Sequence, residues 1–205
     1  MITKELIVET ATRLFVLHGV KAITINRIVQ ELHTSKRTIY NHFEDKTSLL
    51  RECLNTYHTR VRAENDEIIQ SSDNVIEAMA YLHHRIVKRS HETNPSFFSD
   101  IIHYYPGLLH ESYGENGNFA HHQLLILAEW GMEDGIFLDD MDIEVVGKTV
   151  LTMLKMLKDN RMFPVTEYSK ERLTFGILVP YMRGLCTDKG LKLLHIQEEL
   201  FRVAI

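Results

Sequence analysis

The sequence predicts an all-α fold, with a small N-terminal three-helix domain of the helix-turn-helix type followed by a larger helical domain. Apolar residues recur at the i, i+3, i+4, i+7 spacing of amphipathic helices along almost the whole chain. Alternation of period two, which a half-buried β-sheet needs, is not seen in neighbouring segments. We place the boundary between the predicted domains at residues 1–48 and 49–205.

Composition indicates a globular protein. The chain has 205 residues, of which 44% are hydrophobic, enough for a sizeable core. The two cysteines, Cys53 and Cys186, are far apart and have no metal-ligand spacing, so we expect neither a zinc site nor a disulfide framework. The N-terminal segment carries Lys4, Glu5 and Glu9 instead of an apolar run, and no stretch approaches a membrane span. We therefore expect a cytoplasmic protein that does not enter membranes.

Charge is distributed unevenly along the chain. Residues 1–62 contain ten Lys and Arg against six Asp and Glu, a net charge of +4, whereas the remainder has thirteen against twenty-two, a net charge of −9; the two add to −5. A basic first segment on an acidic body indicates that the N-terminal domain, and not the body, meets a polyanion. Chance clustering is the alternative.

The first two helices follow from apolar faces and end signals. The faces consist of Ile7, Ala11, Leu14 and Phe15 in the first helix and of Ile25, Ile28, Val29 and Leu32 in the second. Gly19 is a suitable C-terminal stop for the first helix, and the Thr24 hydroxyl can cap the second. The β-branched segment AITI could form a strand, but no partner strand is evident nearby.

A third helix is predicted over residues 36–43, after a tight turn. Ser35 can cap its first amides, and Ile39 and Phe43 are spaced to face inward. The outer side then carries Lys36, Arg37, Asn41 and part of Tyr40, without an acidic residue. Two short helices joined by a three-residue turn, the second basic on its outer face, form a helix-turn-helix that suits the DNA major groove.

The segment from Glu9 to Leu54 resembles the DNA-binding region of the TetR family of transcriptional repressors. The resemblance rests on HGVKAITINRIVQEL and TSKRTIYNHFEDKTSLL, which together match that family's pattern over most of the segment. The chain departs from the pattern at His33 and Thr34, where glycine and an apolar residue are usual, and at Arg37, where a small residue is common. His33 is therefore expected to adopt a left-handed backbone without the help of glycine.

The resemblance implies roles for individual residues. In similar proteins the positions of Thr38, Tyr40, His42 and Lys46 contact phosphates, and those of Lys36, Arg37 and Tyr40 reach base edges. A packed or solvated ring is the alternative for His42. The complete set of candidate DNA-binding residues is Thr24, Ser35, Lys36, Arg37, Thr38, Tyr40, Asn41, His42 and Lys46.

The larger domain is predicted to be helical, and the resemblance implies that it binds a small molecule and dimerises. Predicted helices cover residues 47–71, 73–92, 96–104, 116–131, 142–161 and 166–185, with a shorter one from Lys189, and loops fall at Asn94-Pro95, Pro106-Gly107, SYGENGN and Phe163-Pro164. In similar proteins the helices at 142–161 and 166–185 form a four-helix homodimer interface; a core-only role is the alternative. Pro180 is expected to kink or loosen the second of these helices.

That pair of helices carries more apolar residues than the core of one domain requires. They are Val146, Val150, Met153, Leu154 and Leu157 on the first helix and Phe175, Leu178, Val179, Met182 and Leu185 on the second. Tyr81, His84, Phe98, Tyr104 and Trp130 are the candidate ligand-binding residues, although aromatic residues at such positions are more often core.

Histidines are concentrated in the middle of the chain, with seven of the twelve between His83 and His122. Pairs such as His84 and His91 are seven residues apart, about 10 Å along a helix, too far to share a metal directly. We therefore expect no metal site and no cofactor. Pocket lining and ordinary solvated histidines are the alternatives.

Two other classes of function are alternatives. A helical-bundle enzyme that uses the histidine-rich region for metal or small-molecule chemistry lacks a phosphate loop, a nucleophile elbow or an HExxH motif. An architectural DNA-coating protein should be basic throughout. The sequence favours a ligand-responsive, homodimeric repressor that binds a palindromic operator and is not an enzyme.

Overall fold

A computed structural model describes residues 2–157 and 161–202, with side chains described outside residues 109–118. The helices are α1 (Lys4–His18), α2 (Ile25–Glu31), α3 (Lys36–Tyr40), α4 (Lys46–Ser71), α5 (Val75–Glu92), α6 (Ser96–Tyr104), α7 (Pro106–Glu133), α8 (Ile143–Met156), α9 (Lys170–Leu173), α10 (Val179–Leu185) and α11 (Asp188–Gln197). Within these ranges the extended structure is limited to one isolated bridge between Phe137 and Cys186. The predicted all-α class is confirmed, at 76% helix.

The chain divides into two compact units. The first comprises Met1–Asn65 and Lys88–Gly117, and the second comprises Asp66–Val87 and Asn118–Ile205. The division passes through α4, α5 and α7, so each of these helices contributes to both units. The predicted domain boundary after residue 48 stays a prediction.

The first unit has one apolar core that the helix-turn-helix shares with α6. Ile7, Phe15 and Ile39 are completely buried in it, and Phe97 and Ile101 of α6 belong to the same cluster. Because a helix is stabilised mainly by packing its apolar face, the three short N-terminal helices depend on this shared core. The helix-turn-helix is therefore continuous with α6 and the first half of α4.

The second unit is built around α5, the end of α7, α10 and α11. Its core includes Ile76, Leu127, Met182, Leu194 and Phe201, all nearly inaccessible to solvent. The bridge between Phe137 and Cys186 ties the loop after α7 to the end of α10. Gly190 permits this approach, because a Cβ at that position would lie 2.1 Å from the carbonyl oxygen of Ile136.

Several predicted boundaries are confirmed and others are wrong. The helix predicted at 96–104 is found with the same limits as α6. Helix α7 begins at Pro106, ten residues before the predicted start, so the loops predicted at Pro106-Gly107 and SYGENGN lie inside a helix. Proline is compatible with the first turn of a helix, where its missing N–H has no partner to lose. The loop prediction at SYGENGN is wrong because glycine lowers helix propensity without necessarily ending a helix.

The third and eighth helices are shorter than predicted. Helix α3 ends at Tyr40 rather than at Phe43. Helix α8 ends at Met156, and residues 158–160 of the predicted 142–161 helix lie outside the described residues. The last long helix starts at Lys170, capped by Ser169, instead of at Thr166. Hydroxyl caps explain the late start, because Ser169 Oγ accepts the amide hydrogen of Arg172 at 3.1 Å.

A π-helical turn over Thr174–Leu178 connects α9 to α10 without a break. The backbone N–H of Val179 bonds to the carbonyl of Thr174 across this turn, directly before Pro180. A π-turn widens a helix locally and commonly accompanies a bend. The predicted loosening of the helix near Pro180 is thus present in the structure.

Candidate nucleic-acid interface

The turn of the helix-turn-helix has a defined backbone. At the end of α2 the amides of His33 and Thr34 donate to the carbonyls of Gln30 and Val29, at 3.2 and 3.1 Å, the bonding pattern of a Schellman motif. His33 has φ of 47°, which confirms the predicted left-handed backbone at a residue other than glycine. This motif ends α2 and turns the chain directly into α3.

Helix α3 separates an apolar inner side from a polar outer side. Ile39 is completely buried and Phe43, just after the helix, is 5% exposed, as predicted. The outer residues Lys36, Arg37, Asn41 and His42 are exposed, and half of the Tyr40 side chain is accessible. The arrangement places cationic, amide, imidazole and phenol groups on one surface held by a small core, as DNA contact requires.

Hydroxyl groups fix the helix starts at this surface. Ser35 Oγ accepts the amide hydrogen of Thr38 at 3.2 Å and lies 3.0 Å from Thr38 Oγ1. Thr24 Oγ1 accepts the amide hydrogen of Arg27 at 3.3 Å. Both predicted caps are confirmed. Whether Thr24, Ser35 and Thr38 also touch DNA stays a prediction.

Glu31, the last residue of α2, is paired. Arg13 donates to Glu31 Oε1 at 2.6 Å, and Arg27 lies 3.5 Å from the other oxygen of the same carboxylate. The bond from Arg13 lowers the pKa of Glu31. By contrast, Lys36 and Arg37 have no ion pair within the part of the chain that the structure describes. Their charges are therefore available to a phosphate or a base edge.

Lys46 lies at the start of α4 and points inward. Its Nζ donates to the carbonyl oxygen of Val20 at 2.6 Å and lies 5.6 Å from the centre of the Phe15 ring. Burial lowers the pKa of this ammonium group. Sequence reasoning did not foresee this anchoring role, because Val20 and Lys46 are far apart in sequence. Phosphate contact through the remaining donors stays a prediction.

The five candidate ligand-binding residues are divided between the two units. Phe98 packs against the core of the first unit, and the Tyr104 hydroxyl accepts a hydrogen bond from Lys21 Nζ at 2.7 Å. In the second unit, Trp130 packs against the core, and the Tyr81 hydroxyl donates to Glu77 at 3.2 Å. His84 is half-buried in this second unit. Their participation in ligand binding stays a prediction.

Nothing in the described residues supports the enzyme alternative. Outside the undescribed positions, no three His, Cys, Asp or Glu side chains are grouped closely enough to hold a metal ion. Both cysteines are buried, and burial raises the pKa of the Cys53 thiol to about 12, so it is not a nucleophile near neutral pH.

Among the described helices, none is long and apolar enough to cross a bilayer.

Comparison with known proteins places this geometry in a family. Residues 7–53 match the family described as "Bacterial regulatory proteins, tetR family". The "Probable acrEF/envCD operon repressor" of Escherichia coli strain K12 is 22% identical over 97% of this chain and 94% of its own length. The HTH-type transcriptional repressor KstR2 of Rhodococcus jostii is also 22% identical, over 68% of this chain and 70% of its own.

Solved structures show the same fold. A transcriptional regulator from Saccharomonospora viridis, solved in complex with choline, matches with a TM-score of 0.73 at 17% identity, over 90% of this chain and 97% of that one. The matched segment contains the buried helix-turn-helix core and the exposed face of α3 described above. Residues 7–53 thus carry the DNA-binding segment of the TetR family, and the chain as a whole is similar to transcriptional regulators of that family.

Proposed function

We propose that two copies of this protein bind an inverted-repeat operator and repress transcription from it, and that a small molecule releases them. The DNA-binding part rests on the exposed face of α3, where Lys36, Arg37, Tyr40 and Asn41 lie over buried Ile39 with no acidic residue among the four. A single recognition helix reads only a few base pairs. Two copies related by a two-fold axis give the specificity that a repressor needs.

DNA selection followed by footprinting tests the operator. A random duplex pool should yield an inverted repeat with half-site centres about one helical turn, near 34 Å, or a small multiple of it apart. In a gel shift, discrete complexes are expected on the selected duplex. A ladder of complexes on any DNA would instead indicate a coating protein, and a footprint without two-fold symmetry would contradict the proposal.

Residues of α8 and of the α9–α10 segment support the proposed homodimer. Val145 is 58% exposed, and Val146, Met153, Leu154 and Leu157 are only half-buried in a single chain. On the other segment, a Cβ added at Gly176 or Gly184 would meet nothing within 4 Å, so the backbone there is open to close approach. Pro180 lies four residues after Gly176 and four residues before Gly184, and it is also exposed.

Part of the apolar face assigned to the dimer from sequence is wrong. Val150, Leu178, Val179 and Met182 are at most 6% exposed within one chain, so they belong to its own core. Along the α9–α10 segment the accessible side is instead the Gly176, Pro180 and Gly184 side. The homodimer is therefore proposed through α8 and this small-residue side.

The effector is proposed to be a small molecule bound among the helices between α4 and α7. The regulator from S. viridis was solved with choline, which shows that a protein of this fold holds a small molecule, without defining the ligand of this chain. The candidate residues stay Phe98 and Tyr104 in the first unit and Tyr81, His84 and Trp130 in the second, and each group is a separate candidate site. We place the protein in the cytoplasm, where operator DNA is found and where its two free cysteines stay reduced.

Calorimetry with and without operator DNA tests an effector found by thermal-shift screening of metabolites. A coupling of about 1 to 3 kcal/mol would lower operator affinity roughly 5- to 150-fold, and linkage requires DNA to weaken the ligand by the same factor. Equal ligand affinities in the two titrations would show that the compound is not an inducer. If no compound binds, the release mechanism fails and the DNA-binding part stands.

A further inference from the structure

The end of α1 is held by Asn94, which lies between α5 and α6. The Asn94 backbone N–H donates to the carbonyl of Val16 at 2.8 Å, and its side-chain Nδ2 donates to the carbonyl of Leu17 at 3.3 Å. Carbonyls in the last turn of a helix have no partner within that helix. Asn94 therefore supplies from α5–α6 the hydrogen bonds that the C-terminal end of α1 lacks.

The same side chain also begins α6. Asn94 Oδ1 accepts the amide hydrogen of Ser96 at 2.8 Å, and the Phe97 amide donates to the Asn94 carbonyl at 2.9 Å. The two ends of one amide thus have different partners, a carbonyl of α1 for the NH₂ group and an amide of α6 for the oxygen. One residue fixes the first helix of the helix-turn-helix domain against the start of α6.

Asp100 and Tyr104, further along α6, hold the segment after α1. The Lys21 backbone N–H donates to Asp100 Oδ2 at 2.7 Å, and Lys21 Nζ donates to Tyr104 Oη at 2.7 Å. Gly19 permits this approach, because its φ is +83° and an added Cβ would lie 3.0 Å from Ser96 Cβ. The segment from Val16 to Lys21 is therefore fastened along the length of α6.

This fastening matters because the shared apolar core does not by itself fix an angle, since apolar contacts are non-directional. After Phe43 the backbone passes through Asp45 into α4, where the bond from Lys46 to Val20 gives one directional attachment. The bonds at Asn94 and Asp100 form a second directional attachment, to the start and the middle of α6. Two lines of attachment define one direction for α3 with respect to α6.

We propose that Asn94 and Asp100 are positioning residues for DNA binding, which fix the direction of α3 and thereby the half-site spacing that the dimer accepts. This inference rests on the proposed binding of an inverted repeat. Moving the half-sites by one base pair changes their separation by about 3.4 Å and their relative rotation by about 35°. A loosely held helix-turn-helix domain tolerates that change, whereas a fastened one does not.

Substitutions at these residues separate positioning from folding. Asn94→Asp keeps an oxygen for the Ser96 amide, so the start of α6 is preserved, but it replaces the donor to Leu17 by a carboxylate that the carbonyl repels. Asn74→Asp is the matched control, because Asn74 Oδ1 accepts from Glu77 N at 3.0 Å at the start of α5 in the second unit. Asp100→Ala removes the acceptor for Lys21, and Asp100→Asn retains one.

The experiment measures affinity for duplexes that carry one fixed pair of half-sites at spacings varied by single base pairs. The half-sites are those that the unaltered protein selects from a random pool. The unaltered protein, Asn74→Asp and Asp100→Asn should prefer one spacing over its neighbours. In Asn94→Asp and Asp100→Ala this preference should fall by about 10-fold, while affinity for a single half-site stays within about twofold.

The outcomes distinguish the inference from the proposed function. Failure of the unaltered protein to select any inverted repeat overturns both. The unaltered protein could select an inverted repeat while folded Asn94→Asp and Asp100→Ala proteins keep the full spacing preference. That result overturns the positioning role alone. Equal loss of single half-site and paired half-site affinity in these variants also overturns it, since that result indicates general destabilisation. Melting temperatures measured alongside show that each variant is folded.

Discussion

Lys46 Nζ lies 2.6 Å from the carbonyl oxygen of Val20, so the ammonium group at the start of α4 is bonded to the segment between α1 and α2. A bond from a charged donor to a partly buried carbonyl contributes about 1.5 to 3 kcal/mol. The position also suits a phosphate, because it lies in the first turn of a helix whose amides attract anions. Lys46 thus has a structural role in addition to its predicted DNA contact.

Replacing Lys46 with alanine should show both effects. The free energy of unfolding is expected to fall by about 1.5 to 3 kcal/mol, because the Val20 carbonyl loses its donor. DNA binding should weaken on all sequences alike, and the slope of log K against log salt should fall by about one. Chemical denaturation and salt titrations measure the two quantities.

The exposed Lys36 provides the comparison for Lys46. Lys36→Ala should change DNA affinity and leave the free energy of unfolding within about 0.5 kcal/mol of the unaltered protein. If Lys46→Ala left the free energy of unfolding unchanged, the structural role of Lys46 would be contradicted. If it left the salt slope unchanged, the predicted phosphate contact would be contradicted.

Arg37 should determine the preference at one base pair of each half-site. The side chain is exposed on α3 and has no ion pair in the described portion of the chain, so its guanidinium can bind a guanine edge with two hydrogen bonds. Arg37→Ala is expected to cost about 1 to 3 kcal/mol of binding at the preferred sequence and to relax selection there. Competition with single-base operator variants measures this, and exposed Lys192→Ala should have no such effect.

His33 should limit stability because of its backbone. A non-glycine residue at φ of 47° is strained, although histidine tolerates this region better than most residues. His33→Gly is expected to raise the free energy of unfolding by about 0.5 to 1 kcal/mol, since relief of strain exceeds the added entropy of the unfolded chain. His33→Val should lower it by about 1 kcal/mol or more. If valine were as stable as glycine, backbone strain would not be the controlling factor.

The helix-turn-helix was predictable because its signals are local. Hydroxyl caps at Thr24 and Ser35, the stop at Gly19 and the inward spacing of Ile39 and Phe43 all act within a few residues, and each is found as predicted. The left-handed backbone at His33 was implied by the resemblance to the TetR family, in which glycine is usual at that position. Local propensity and the global fold agree in this segment, which is why sequence reasoning worked there.

Features that depend on distant residues were not predictable. The amide of Asn94 bonds to Leu17, seventy-seven positions away, and the sequence showed only an Asn-Pro loop signal. The start of α7 at Pro106 was missed because Pro-Gly usually ends a helix and here begins one. The burial of Leu178 and Met182 in the chain's own core depends on packing against α5 and α11, which periodicity alone cannot assign.

Leu154 should be needed for the homodimer. It lies on the half-buried side of α8, where an added carboxylate would face the apolar surface of a second copy. Leu154→Glu is expected to destabilise the dimer by several kcal/mol, about 3 or more, and to reduce operator affinity with it. Light scattering at micromolar concentration measures the assembly. Exposed Lys155→Glu, on the side of the same helix opposite Met153, should leave the dimer intact, and a monomeric unaltered protein would contradict the proposed interface.

His83 should make the second unit sensitive to acid. Its ring is 8% exposed, its Nε2 lies 2.9 Å from Thr174 Oγ1, and burial, with the nearby His84 as a smaller cause, lowers its pKa from 6.5 to about 4. A histidine pKa that is lower in the folded state means that the unfolded chain takes up the proton first. Stability is therefore fully retained above pH 6.5 and is lost as pH falls from 6.5 toward 4, by about 3 kcal/mol. His83→Gln keeps a hydrogen-bonding group near Thr174 but does not titrate, so its unfolding free energy should fall less over the same range. Denaturation curves for both proteins at pH 7, 5.5 and 4 measure the difference, and parallel pH profiles would show that His83 is not the group responsible.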